Sequence, residues 1–380
     1  MKLIDREIER QILQNLIPQK VLVLLGPRRV GKTVLIKKLI DNLNEPYLLL
    51  NGEDFSVLEV LSRRSTQQYK NLLEGKKVLI IDEAQKIPEI GNILKLMIDE
   101  IEGLKILVTG SSAFDIDKYT GEPLTGRKKT FHLFPLSESE YNQIENTIEK
   151  QDGIRERLIY GNYPELVHIQ SKNDKADYLK EIVNSYLLKD ILAFENIRNS
   201  DKILNLLRLV AFQVGSEVSY QELGKQLGMS KNTIEKYLDL LSKVFVLHKL
   251  GGFSRNLRKE ITKNSKWYFY DNGLRNLIIA NLNPIESRND IGQLWENYAI
   301  SERIKSQRYN RMIVNNYFWR TYDQQEIDWV EERDGKLYGY DFKWNVNKNV
   351  NAPTTWANTY TNAEFKAINP ENFSDWLKSD

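Results

Sequence analysis

Two short stretches hold residues whose types and spacing suit phosphate chemistry. In Gly26-Pro27-Arg28-Arg29-Val30-Gly31-Lys32-Thr33, two glycines bracket a turn that ends in lysine and threonine. Glycine lets successive backbone N–H groups turn inward around an anion, and a helix opening at Val34 would add the partial positive charge of its N-terminus. Lys32 would reach the β- and γ-phosphates of a nucleotide, and the Thr33 hydroxyl would be a hard oxygen ligand for Mg²⁺. The second stretch, Val78-Leu79-Ile80-Ile81-Asp82-Glu83, is an apolar run ending in adjacent carboxylates. Asp82 would hold Mg²⁺ through water, and Glu83 would orient and polarise an attacking water. The bland alternative is that Asp82 only caps the helix that follows.

Two further stretches qualify for supporting roles. Lys105-Ile106-Leu107-Val108 runs into Thr109-Gly110-Ser111-Ser112, small polar groups where a γ-phosphate could be sensed, although a simple turn uses the same residues. Leu124-Thr125-Gly126-Arg127 offers an arginine after a flexible glycine. Such a guanidinium could stabilise transition-state charge in cis or from a neighbouring subunit, or serve a surface or structural role.

These residues need a scaffold that holds them at one edge. Up to about residue 135 the apolar runs Val21–Leu25, Tyr47–Leu50, Val78–Ile81, Ile106–Val108 and Phe131–Leu133 alternate with amphipathic stretches, which predicts a parallel sheet covered on both faces. Strand C-termini in such a sheet open on one crevice, so the glycine-rich turn and Asp82-Glu83 would meet there. From about 136 to 290 the pattern is mostly helical, as in Tyr178–Leu188. After 290 a helix over Leu294–Ser306 is followed by strand-like runs 312–320, 326–332 and 336–343, a segment led by Pro353 and a short strand at 365–368. Asp334-Gly335 signals a hairpin between two of those runs. The expected division is 1–135, 136–200, 201–289 and 290–380.

Within the third division, Tyr220–Leu227, a Gly228-Met229-Ser230 turn and Lys231–Leu241 read as helix-turn-helix, with Ser230 as N-cap and Ile234, Leu238 and Leu241 facing inward. The outward face would carry Lys231, Asn232, Glu235, Lys236 and Asp239, and its acids disfavour phosphate. Arg255, Arg258, Lys259, Lys263 and Lys266 could form a basic wing on a nucleic-acid backbone, or a solvated or packing surface.

Composition narrows the chemistry further. The 380 residues include no cysteine and three separated histidines, so a zinc site or thiol nucleophile lacks raw material, and any metal should be a hard cation on oxygen. A net charge of +2 does not by itself call for nucleic acid or an anionic membrane. Without a membrane span or leader-like start, the expected location is the cytoplasm.

At these residues the chain resembles the AAA+ superfamily, specifically bacterial and archaeal P-loop ATPases whose AAA+ core precedes a domain of unknown function. The resemblance rests on residues 26–33, Asp82-Glu83-Ala84-Gln85-Lys86-Ile87-Pro88, Thr109–Ser112, Leu124–Arg127 and Phe134-Pro135-Leu136-Ser137. It continues through Gly161-Asn162-Tyr163-Pro164-Glu165 and Lys266-Trp267-Tyr268-Phe269-Tyr270-Asp271-Asn272-Gly273-Leu274. It implies ATP, Mg²⁺, an α/β AAA+ sheet and possible homo-oligomeric rings. Asn162 stands where a second glycine is usual, and Asp341 where glutamate is commoner.

The last third, an α+β order of helix, three strands, helix and strand, resembles PD-(D/E)XK nucleases. Asp328 and Asp341-Phe342-Lys343 would match their signature, with Glu296 from the first helix. Alternation puts Asp341 and Lys343 on one strand face, so the pair Asp328 and Asp341 could share a divalent cation beside an ammonium. An active nuclease, an inactive nuclease-like binding module and an ordinary charged strand pair all remain open. The leading expectation is Mg²⁺-dependent ATP hydrolysis whose nucleotide state controls the winged-helix and nuclease-like regions. The rivals are an ATP-gated nuclease and a slow switch acting through a protein partner.

Overall fold

The computed structural model describes residues 3–111, 124–146, 148–187, 200–254, 265–347 and 350–378. The chain divides into two compact units, Lys2–Pro135 and the rest from Leu136 onward.

In the first unit five strands form one sheet in the order β2-β3-β4-β1-β5. They are β1 (Val21–Leu25), β2 (Tyr47–Asn51), β3 (Val78–Asp82), β4 (Lys105–Gly110) and β5 (Lys128–His132). All neighbours run parallel. β1, β3 and β4 are interior strands, and their Val, Leu and Ile side chains are buried on both faces, which is why their sequences read as continuous apolar runs. β5 starts three residues before the run expected at Phe131–Leu133, because its first residues, Lys128 and Lys129, are polar and only half-buried. The N-terminal helix Glu9–Asn15 was not expected; it has one fully buried side chain, Ile12.

The second unit holds a seven-stranded mixed sheet in the order β12-β11-β10-β9-β7-β8-β6. Its strands are β6 (Glu217–Val218), β7 (Leu247–Gly252), β8 (Ser265–Phe269), β9 (Asn315–Arg320), β10 (Glu326–Arg333), β11 (Lys336–Phe342) and β12 (Glu364–Ile368). The Asp334-Gly335 hairpin forms, and β10 pairs antiparallel with β11. β7 pairs in parallel with β9 through Gly251 and Gly252, so one sheet runs from the middle of the chain into its last third.

The helix expected at 294–306 extends over Ile291–Tyr309. It is anchored on β10 by Arg303, whose guanidinium donates to both Glu331 oxygens at 2.6 and 2.9 Å with neither side chain exposed. Helices Tyr220–Leu227 and Lys231–Lys243 meet through the expected turn, and the Ser230 hydroxyl accepts from the Thr233 N–H at 3.1 Å. The stretch 178–188 begins as helix Lys172–Glu181 and continues as a π-turn over Ile182–Leu187; Leu188 lies outside the described residues.

Candidate functional site

β1, β4 and β3 lie side by side, so the chain leaving each C-terminal end comes to one place. After β1, Gly26 passes against Leu133: a Cβ there would lie 2.1 Å from the Leu133 carbonyl oxygen, so no other residue fits. The turn continues with Arg29 at φ 65° and Gly31 at φ 92°, left-handed positions that fold the loop onto the start of helix Lys32–Asp41. The Lys32 side chain is buried and donates to the carbonyls of Gly26 and Pro27 at 2.8 and 2.9 Å. Val34, the next helical residue but one, is exposed.

Asp82 ends β3 beside this loop. Its Oδ2 accepts from the Thr33 hydroxyl at 2.7 Å, and its Oδ1 accepts from the Thr109 hydroxyl at 2.5 Å. Thr109, on the intervening β4, also accepts from the Glu83 N–H at 3.0 Å, so one hydroxyl fixes both acidic residues. Thr33 and Asp82 are hard oxygen donors in contact, a donor set that suits Mg²⁺. Asp82 therefore engages the loop rather than the following turn, which has no side-chain cap. Glu83 adopts φ 52°, ψ 41° and leads into the 3₁₀ turn Ala84–Lys86. Its carboxylate accepts from Gln85, whose amide also reaches the buried Ser111. Ser112 lies outside the described residues.

Arg127 is elsewhere. Val21 and Lys128 are partners in the β1–β5 register and the Val21 N–H donates to the Arg127 carbonyl at 2.9 Å, so Arg127 precedes the N-terminal end of β5. The phosphate loop follows the other end of β1, about 15 Å away at ~3.3 Å per residue. The Arg127 guanidinium pairs with Asp99 at 2.8 Å. Gly126 before it takes the left-handed φ of 72°, and the parallel topology puts Arg127 at the end of the sheet away from the loop.

Sequence reasoning missed Arg6. Its guanidinium is buried and donates to the Val30 carbonyl within the loop and to the Phe134 carbonyl, both at 2.7 Å. It precedes the first strand in a run of alternating charges, and no spacing rule singles it out.

In the second unit Asp328, Asp341, Lys343 and Glu296 also come together. The Lys343 ammonium lies 3.3 Å from Asp341 and 3.9 Å from Asp328, and Asp328 accepts from the Phe342 N–H at 3.0 Å. Asp328 sits where the β9–β10 register shifts, between Ile327 and Val330. Glu296 accepts from the Tyr268 hydroxyl at 2.7 Å. Burial, with the charges of Glu296 and Asp341 beside it, pushes the Asp328 carboxyl well above the usual range. Burial raises Glu296 as well. Burial works against the charge on Lys343 and Lys266, but the surrounding carboxylates outweigh it and raise both above the ordinary lysine value. Among the described residues no three His, Cys, Asp or Glu side chains are arranged to hold a metal ion.

Lys266 is not part of a basic wing: it is buried and paired with Glu326. Arg255, Arg258, Lys259 and Lys263 lie outside the described residues. On helix Lys231–Lys243 the residues Lys231, Asn232, Lys236, Asp239 and Lys243 are exposed, with Glu235 half-buried. Asn162 spans a buried junction, donating from its side chain to the Leu136 carbonyl and to Glu302, both at 2.9 Å, while its N–H donates to Asp271 at 2.7 Å. The asparagine in place of glycine thus adds contacts within the second unit.

Residues 18–142 match the family model of the AAA domain. Residues 151–286 and 291–370 match two further families, each described as a domain of unknown function. An uncharacterized protein of Methanocaldococcus jannaschii is 26% identical over 349 residues, covering 87% of this chain and 75% of that protein. An uncharacterized protein of Haemophilus influenzae is 26% identical over 357 residues, covering 86% and 84%. Among solved structures, a signal transduction ATPase with numerous domains from Pyrococcus horikoshii, carrying a tetratricopeptide repeat sensor, is 14% identical with a TM-score of 0.31. That match covers 80% of this chain and 46% of the other, so this chain spans about half its length. The Aeropyrum pernix ORC1 protein in complex with DNA is 12% identical, with a TM-score of 0.34 and coverage of 73% and 92%. These structural likenesses are distant. The AAA-matching segment contains the loop, Asp82-Glu83 and Ser111. Among the described residues no helix is long and apolar enough to cross a membrane.

Proposed function

We propose that the chain is a cytoplasmic Mg²⁺-dependent ATPase that binds the phosphates of ATP in the loop from Gly26 to Thr33. The observation that carries this reading is the 2.7 Å contact between Thr33 and Asp82, which joins the loop after β1 to the acidic end of β3. The inward N–H groups of the loop and the helix N-terminus would bind phosphate, with Arg28, Arg29, Val30 and Val34 forming the rest of the turn. Lys32 would neutralise the β- and γ-phosphates, Thr33 and Asp82 would hold Mg²⁺, Ser111 would contact the γ-phosphate, and Glu83 would polarise water. Arg127 would act only from a neighbouring copy in a homo-oligomer. Nucleotide state would govern what the winged-helix-like and nuclease-like regions do with a nucleic-acid or protein partner.

The test is titration of the full chain with labelled ATP, with Mg²⁺ and with EDTA. Wild type binds with Mg²⁺, and Lys32→Ala loses about 3 kcal/mol or more of binding, because a charge-assisted contact to phosphate is removed. Equal binding by the two proteins contradicts the reading.

The convergence of Asp328, Asp341 and Lys343 favours a second reading, metal-dependent cleavage of nucleic acid. Asp328 and Asp341 would hold the cation, near Glu296 and Lys343. Incubation with single- and double-stranded DNA and RNA should then give cleavage that needs Mg²⁺ or Mn²⁺ and vanishes in Asp341→Ala while ATP turnover survives. No cleavage under any condition leaves the module a binding one.

A further inference from the structure

Gln85 follows Glu83 by two residues, and the phosphate chemistry above gives it no task. The left-handed conformation of Glu83 and the 3₁₀ turn after it fold the Gln85 side chain back over the Glu83 carboxylate. Its Nε2 donates to Glu83 Oε2 at 2.5 Å and to Ser111 Oγ at 3.2 Å. The amide cannot be reversed, since its carbonyl oxygen would then face a carboxylate. Its Oε1 is buried and has no hydrogen-bond partner. A buried acceptor left unmet costs stability, so the two contacts of Nε2 are what hold the side chain there.

Building on the ATPase reading, we propose that Gln85 is a positioning residue for hydrolysis, fixing the Glu83 carboxylate and aligning the Ser111 hydroxyl. Two hydrogens on one nitrogen serve both partners at once. Because Ser111 accepts from Gln85, its own hydroxyl proton remains for an acceptor such as a phosphate oxygen. Glu83 is half-buried on a turn, and without Gln85 its carboxylate would sample several rotamers, only some of them suited to water activation. The amide therefore orders the group that acts on water together with a group that would meet phosphate.

The test is steady-state ATP hydrolysis and ATP titration on the full chain. Gln85→Ala should lower kcat by about tenfold and leave KM and ATP affinity within about twofold, the pattern of an interaction that matters only in the transition state. Gln85→Glu, equal in shape but repelling Glu83, should lower kcat further, and Gln85→Asn should restore part of the loss. In a Glu83→Gln background, adding Gln85→Ala should lower the single-turnover rate by less than it does in wild type, because the part exerted through the Glu83 carboxylate is already gone and only the alignment of Ser111 remains. Wild-type kcat in Gln85→Ala, a parallel fall in kcat and affinity, or a full additional loss in the Glu83→Gln background each overturns the proposal while the ATPase reading stands. Absence of hydrolysis in wild type overturns both.

Discussion

Arg127 follows a glycine and ends a polar turn, a setting that suits a mobile catalytic guanidinium, yet the fold puts it before β5 and on Asp99. Local sequence describes how freely a side chain can move; which end of a sheet it occupies depends on strand register, which the sequence of one loop does not contain. Arg127→Ala should therefore leave kcat and ATP affinity within about twofold of wild type in dilute protein, where surface ion pairs contribute little. Phosphate release measured across protein concentrations checks this. A tenfold loss at the lowest concentration contradicts the placement, whereas a loss that appears only as concentration rises supports action from a neighbouring copy. Lys32, Thr33, Asp82 and Glu83 could be picked out as candidates because each lies at or after the end of a buried strand in a fixed pattern. Arg6 and Gln85 could not, since their partners are carbonyls or side chains brought close only by the folded chain.

At the scale of elements, the parallel strands of the first unit were legible from their apolar runs, and the helix pair around Ser230 from its cap and turn. β7 and β8 were missed. They are short, lie in a mostly helical stretch, and join the larger sheet through Gly251 and Gly252, residues that carry no strand signal. Their burial has a measurable consequence at His248 on β7, whose ring packs against Tyr270 and Trp329. Burial, with Arg308 nearby, lowers its pKa from 6.5 to about 4, and its Nε2 has no hydrogen-bond partner. The unfolded chain takes up this proton below about 6.5, while the folded chain resists it until about 4. This contribution to stability is present above pH 6.5 and is lost as pH falls towards 4, by at most roughly 3 kcal/mol at 1.36 per pKa unit, and less because the residue is not fully buried. Urea denaturation between pH 7 and 4 should show a shallower loss for His248→Phe than for wild type. Parallel curves contradict the assignment.

At the scale of the whole molecule, the chain has a five-stranded parallel sheet before Pro135 and a seven-stranded mixed sheet after it, and the AAA family match covers 18–142. The candidate phosphate site could be read as one group of residues because they lie at three neighbouring strand ends. The cluster around Asp328 was readable only as a set of candidates, because its meaning depends on which lysines neutralise which carboxylates, and Lys266 enters from a strand the sequence did not announce. The central claim is that ATP is bound by the loop and hydrolysed through Glu83. Binding of labelled ATP and phosphate release, measured together on wild type and Glu83→Gln with Mg²⁺, test it most directly. Equal binding and a fall in turnover of about a hundredfold or more in the variant are expected, as for losing a group that acts on the attacking water. Equal turnover by the two proteins would contradict it.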